Sequence, residues 1–369
     1  MKASKDKISV RQLLFVFTII VSSPATRFLP KYAAAKAAQA GWLSPVVCIV
    51  PFIALIFMID SILKKYKGQS MSEVINILLG KYLGKLVLVI YLLWAVWLSA
   101  MYMRYYAERL TSSIYPNINN NVLIILTLIP IAYILRSGFT VIARMCEILL
   151  PFIGAMLVML AAFLLPSIRV DNVLPISFND VVPIVEASLG STAILSYLFL
   201  LFFLSGKVVN MKSFKTFGYI ATYINVSSLM LVIFITIGVL GNSVAQRAPM
   251  PVLITVKQVS LMDTIENIEA IIIAIWIFAD FTLISTLFVI TLNLIKSIFK
   301  LSDTRSLINI FAVLVYFLTM GLCSNKFELE EFSNKLFIPL SLLFGYGFPV
   351  ILFTLSKLRK GSKNTEKSN

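Results

Sequence analysis

The chain has 369 residues, of which 59% are apolar and 13% charged, against roughly 45–50% and ~25% in soluble proteins. No soluble core can absorb that excess, and the absence of histidine removes Ser-His-Asp and Cys-His triads and His-ligated metal sites at one stroke. The net charge of +15 is scattered over many short loops, with no aromatic-lined basic stripe, so membrane topology accounts for it and nucleic acid is not an expected partner.

Ten apolar runs long enough to cross a bilayer are bracketed by polar clusters, at about residues 8–29, 42–63, 83–106, 121–135, 139–165, 181–206, 214–241, 267–299, 306–323 and 335–357. The fourth ends at Arg136-Ser137-Gly138, and its boundary with the fifth decides the polarity of everything downstream. With both termini cytoplasmic, 22 of the 32 Lys and Arg residues fall on the inner side, as retention of basic loops requires. Asp171, Asp180, Asp263, Glu266, Glu269, Glu328, Glu330 and Glu331 then fall outside. Ala33-Ala34-Ala35 offers small residues for signal cleavage, but Pro24, Arg27 and Pro30 interrupt the stretch before them, so the first span is read as retained. Residues 1–357 form one polytopic domain and residues 358–369 a polar cytoplasmic tail. Cys48, Cys146 and Cys323 lack CxxC spacing and read as small packing residues.

Ten spans divide into two sets of five, about 8–165 and 181–357, and an odd number per set makes the second an inverted copy of the first. In such a bundle a binding site forms where the leading helix of each set is interrupted, because freed backbone groups face a cavity there. Span 1 carries Ser22, Ser23, Pro24, Ala25 and Thr26, followed by Arg27. Span 6 carries Glu186, then Ser188, Gly190, Ser191 and Thr192. Ser and Thr also pack between membrane helices where no site exists, so the matching positions of the two clusters carry the expectation.

Ionisable groups inside apolar runs are expensive and point to function by default. Arg104, Glu108 and Arg109 at the end of span 3 read as an outer boundary group. Arg144 and Glu147, three apart on span 5, share a helix face and read as a structural ion pair. Glu186 sits near the outer end of span 6, placed to attract a ligand ammonium. Asp280 lies midway along span 8 near Thr282, Ser285 and Thr286; it could bind a cation, carry a proton, or sit neutral against a neighbouring helix. Trp276 stands inside span 8, able to fill the bundle or line a pocket.

Several strings, in order along nearly the whole chain, resemble one family. They are Lys7-Ile8-Ser9-Val10-Arg11-Gln12-Leu13, Ala37-Ala38-Gln39-Ala40-Gly41-Trp42-Leu43-Ser44, Leu79-Gly80-Lys81-Tyr82-Leu83-Gly84-Lys85, Gly138 with Val141 to Arg144 and Glu147 to Pro151, Pro251-Val252-Leu253, and Glu266 with Ile268-Glu269-Ala270 before Ile275-Trp276-Ile277. The chain resembles the B subunits of spore germination receptors, in the amino acid/polyamine/organocation transporter superfamily. The resemblance implies a LeuT-like bundle in the spore inner membrane, working beside an A subunit and a lipoprotein C subunit. It implies sensing rather than enzymatic turnover, with no cofactor: a small nutrient, often an amino acid, is held between the interrupted helices. The first-span interruption lacks the glycine often found in this superfamily, and no family role is carried onto Asp280.

Two functions share the same pocket. A receptor subunit would bind a nutrient between spans 1, 3, 6 and 8 and pass the bias to partners; an amino acid or amine permease would rock around it, with Asp280 or Glu186 as a proton site.

Overall fold

The computed structural model describes residues 7–260, 268–323 and 326–359. The expectations for Asp263, Glu266, the side chains of Glu269 and Glu330, and the tail beyond residue 359 lie outside the described residues.

The chain enters through a two-residue strand, β1 (Ile8–Ser9), and Ser9 caps the first helix, α1 (Val10–Ala37). The cap is reciprocal: Gln12 N–H donates to Ser9 Oγ while Ser9 N–H donates to Gln12 Oε1, which satisfies two otherwise orphaned donors. A tight turn over residues 38–43 leads to α2 (Ile49–Lys65), and the short α3 (Met71–Leu79), capped by Ser70 and Glu73, precedes α4 (Lys81–Ser113). Next come α5 (Asn120–Ser137) and α6 (Phe139–Leu164), then α7 (Val181–Leu195) and α8 (Tyr197–Leu201). Strand β2 (Val208–Val209) pairs in parallel with β1, Ile8 opposite Val208, and so ties the start of α1 to the end of span 6. The remaining helices are α9 (Phe214–Leu240), α10 (Pro251–Ser260), α11 (Ile268–Phe299), α12 (Leu307–Gly321), α13 (Lys326–Leu342) and α14 (Phe348–Leu358).

Among the described residues eight segments are long and apolar enough to cross a membrane; the first, Val10–Lys65, holds both α1 and α2, and α12 adds a shorter apolar pass. Ten passes result among the described residues, in the order expected. Gly138, at φ +98°, reverses the chain between α5 and α6 in a conformation that a Cβ would strain, and it fixes the doubtful fourth boundary. Large apolar side chains such as Phe152 and Phe317, each about two-thirds exposed, face outward, which suits lipid and not water. Cys48, Cys146 and Cys323 are free and buried, as expected of packing residues.

Of the two leading helices, the first departs from expectation and the second breaks slightly later than expected. Span 1 is helical without a gap from Val10 to Ala37, reaching about two turns beyond residue 29, with Pro24 and Pro30 inside it. Pro24 lacks an N–H, so the Ile20 carbonyl loses its helical donor, but side-chain bonds bridge the site: Ser22 Oγ donates to Ile19 O at 2.6 Å and Thr26 Oγ1 to Ser22 O at 3.1 Å. Span 6 does break, one turn after the Ser188–Thr192 cluster. The α-helix stops at Leu195, resumes at Tyr197, and passes into a tighter helix over residues 202–207. Gly345, within a widened helical turn at Leu343–Gly347, meets Ser196 there so closely that an added Cβ would lie 2.1 Å from Ser196 Cβ.

Candidate functional site

A cavity of about 140 Å³ lies between α1, α6, α9, α10 and α11. An apolar cavity of roughly 150 Å³ admits a benzene-sized guest, so the space suits a solute of a few heavy atoms. Thr18, Ser22, Ala25 and Thr26 reach it from one face of α1, at the i, i+4, i+7, i+8 spacing of a helical stripe. Gly154 and Leu157 approach from α6, Ser228 and Val232 from α9, Val252 and Val256 from α10, and Ile272 and Trp276 from α11. One wall belongs to an apolar cluster that includes Leu160, Leu164, Val232 and Ile235. An added Cβ at Gly154 would meet nothing within 4 Å, so this glycine opens part of the space.

Ser23 lies about 100° around the helix from Ser22 and faces a different neighbour. Its hydroxyl donates to the Asp280 carboxylate, and its carbonyl accepts from Arg109 Nη2 at 3.4 Å. Arg109 Nη1 stands 3.0 Å from Asp280 Oδ2, an ionic contact off the hydrogen-bond line, and its guanidinium carbon sits 5.0 Å from the centre of the Trp276 ring. Both charges are about 95% buried. The pair therefore ties α4 to α11, with α1 bonded to each, and unpairing either member would leave a charge without solvent.

Between the pair and the larger cavity lies a void of about 10 Å³, enough for one water, lined by Thr26, Arg27, Arg109, Met250, Val252, Leu253 and Trp276. Arg27 is laid over Tyr105, 3.2 Å from the ring centre, and Tyr102 donates to or accepts from Tyr197 at 2.7 Å behind it.

The structure thus gathers Ser22, Ala25, Thr26 and Trp276 on the cavity, with Ser23 and Asp280 in the ionic layer beside it. Pro24 is buried and lines neither space. The span 6 residues do not join them. Ser188 Oγ donates to Val185 O at 2.7 Å, Ser191 is buried away from both spaces, and Gly190 packs on helix α1, where an added Cβ would lie 2.7 Å from the Tyr32 ring. Glu186 is exposed and 3.6 Å from Lys36, joining α7 to the end of α1. Thr282, Ser285 and Thr286 are buried near Asp280 on α11 with no hydrogen-bond partner for their hydroxyls among the described residues.

Two ionic assignments are corrected. Glu147 bonds to Arg11 and, at 3.0 Å, to Gln12, because the capped start of α1 brings a guanidinium and an amide to it; Arg144 acts on it only through its charge at longer range. Arg104 and Glu108 do pair, at 3.1 Å, but Arg109 is the buried partner of Asp280 and no boundary residue. Arg27, Arg109 and Gly154 are the site residues that sequence reasoning missed; the signal for Arg109 was Asp280 itself, a buried acid that requires a cation.

Such a bundle, with a small cavity beside a mid-helix ion pair, defines a multi-pass membrane protein of permease-like architecture. Among solved structures the chain is similar to MHP1, a nucleobase-cation-symport-1 family transporter in a closed conformation with bromovinylhydantoin bound (TM-score 0.60, 12% identity, 96% of this chain and 80% of that one), and to MhsT in complex with L-phenylalanine (TM-score 0.63, 14% identity, 97% and 94%). The fold is LeuT-like. The model of the spore germination protein family matches residues 7–327, and the chain belongs to that family. Relatives in Bacillus subtilis (strain 168) include spore germination protein KB, 24% identical over 99% of this chain and 98% of that protein, and spore germination protein YndE, 22% identical over 87% and 88%.

Proposed function

We propose that the chain is a nutrient-sensing subunit of a spore germination receptor. A small germinant, an amino acid in the simplest case, occupies the cavity on the Ser22–Thr26 face of α1. Its occupancy favours one arrangement of the bundle, and the bias passes to an A subunit and a lipoprotein C subunit in the spore inner membrane, with both termini on the core side. The role is binding and signalling, with no covalent step. One observation carries the reading: the cavity abuts a buried ion pair that links α4 and α11 and is bonded to α1, so a guest has a lever on three helices. Family membership supports germination, and the LeuT-like fold supports a mid-bilayer solute.

Spores lacking the chain, scored against a panel of single nutrients, test this directly. Loss of response to at least one nutrient, with no solute uptake by vesicles holding the purified protein, is the expected result. Normal responses to every nutrient, with vesicles that accumulate an amino acid, would make the chain a permease instead.

A further inference from the structure

The cavity is closed at one end and open at its side. Leu160 and Leu164 of α6, with Val252, Thr255 and Val256 of α10, border it and are buried. Midway along α6 the same helix face stands off: Leu150, Ile153 and Leu157 are half-buried, and Gly154 is exposed. On α9, Ile224 also borders the cavity and is exposed. These two are the exposed members of the lining, and each lies on the outward stripe of its helix, Gly154 beside Phe152 and Val158, Ile224 beside Ile220 and Tyr223. A window between α6 and α9 therefore joins the cavity to the surface of the bundle, near the middle of both helices.

That surface is the one that meets lipid, so the window is continuous with it and opens onto hydrocarbon at mid-bilayer, about 15 Å from either headgroup layer. Among the described residues none that lines the cavity is ionisable, and a charge brought in from this side would lack a counter-ion. Thr18, Ser22, Thr26, Ser228, Thr236 and Thr255 each donate the hydroxyl proton to a carbonyl of their own helix, at 2.6–3.1 Å, so these polar groups are already satisfied. Unfilled space behind the window would deprive the lining of dispersion contacts, and a hydrocarbon chain restores them with no polar group to desolvate.

We propose that the end of a lipid acyl chain enters between Gly154 and Ile224 and occupies the cavity, against Ser22, Val232 and Trp276, until the nutrient displaces it. By comparison with a benzene-sized cavity the space takes about six carbons, the last part of a chain whose headgroup stays at the membrane surface. The seat stands on the geometry of the window. The displacement rests on the cavity reading proposed above, and adds to it a competitor supplied by the membrane.

The test places the full-length protein in phosphatidylglycerol vesicles that carry a photoreactive diazirine either at the end of one acyl chain or on the headgroup. Labelled residues are then mapped by mass spectrometry. The chain-end probe is expected to label Ser22, Val232 and Trp276, which line the cavity, as well as Phe152 and Tyr223 on the outer surface. The headgroup probe is expected to label neither set. Gly154→Leu should lower labelling of the three lining residues fivefold or more and leave Phe152 and Tyr223 unchanged, and Ile224→Trp, which narrows the window from the other helix, should act in the same direction. Phe152 and Tyr223 labelled while the three lining residues stay unlabelled in the parent, or lining labels that persist in both variants, would overturn the seat. If the lining is unlabelled yet Gly154→Leu shifts the spore's nutrient dose response, the lipid seat falls and the nutrient cavity stands. If Gly154→Leu removes the lining labels and leaves the dose response unchanged, the lipid seat stands and the nutrient's place in the cavity falls.

Discussion

The hydroxyl clusters of the two leading helices look alike as sequence and behave differently in three dimensions. On α1, Ser22, Ala25 and Thr26 border open space, and Ser23 reaches an acid on α11. On α7, Ser188, Gly190 and Ser191 sit in a packed seam, with Gly190 against Leu29 and Tyr32 of α1. Small residues let membrane helices approach closely, and the same residues line a cavity only where the neighbouring helix stands off. For α1 the helix that stands off is α6, where Gly154 leaves a gap; for α7 the neighbour is α1 itself.

Breaking the ionic layer should produce the largest effect. Asp280→Asn strands Arg109 in the bundle, and losing one member of a buried pair costs about 3–5 kcal/mol. The purified variant should unfold at a clearly lower temperature, and adding Arg109→Gln should restore most of the loss. No loss in the single variant would show that the pair is not desolvated.

The packed seam should come second. Gly190→Leu forces a side chain onto Tyr32 and Leu29, and overpacking of this kind costs about 1–3 kcal/mol. Thermal unfolding should register that cost, while protein that reaches the membrane should respond to its nutrient at the usual concentration. A shifted dose response at unchanged stability would move the site toward α7. The smallest effect belongs to Glu186→Gln: its contact with Lys36 is exposed on both sides, and such pairs contribute about 0–1 kcal/mol. Neither unfolding temperature nor nutrient response should change measurably.

The order and number of passes were legible because apolar length is a strong signal, and the capping pair Ser9 and Gln12 and the reversal at Gly138 agree with it locally. The site was legible in part. Thr26 and Trp276 stood out as polar or bulky residues in apolar runs and do border the cavity. Arg109 was misplaced because span 3 was ended near residue 106, whereas the helix continues to Ser113 and carries the arginine inside the bundle. Nothing in the local pattern sets that end, since Glu108 and Arg104 pair within the helix and hide the polarity of the last turns. Glu147 was given to Arg144 by helical spacing, but a partner from another helix, Arg11, wins with a second bond from Gln12. Gly154 gave no signal, because what distinguishes it is the space it faces.

The central claim is that the nutrient is held on the α1 side of the bundle, in the space that Gly154 leaves open. The most direct test is the nutrient dose response of spores carrying Gly154→Leu, with membrane abundance measured alongside. A Cβ added here meets nothing within 4 Å and a leucine extends from it into the cavity, so the account predicts normal abundance and a half-maximal nutrient concentration raised about tenfold or more, equivalent to about 1.4 kcal/mol of lost affinity. An unchanged dose response at normal abundance would contradict it.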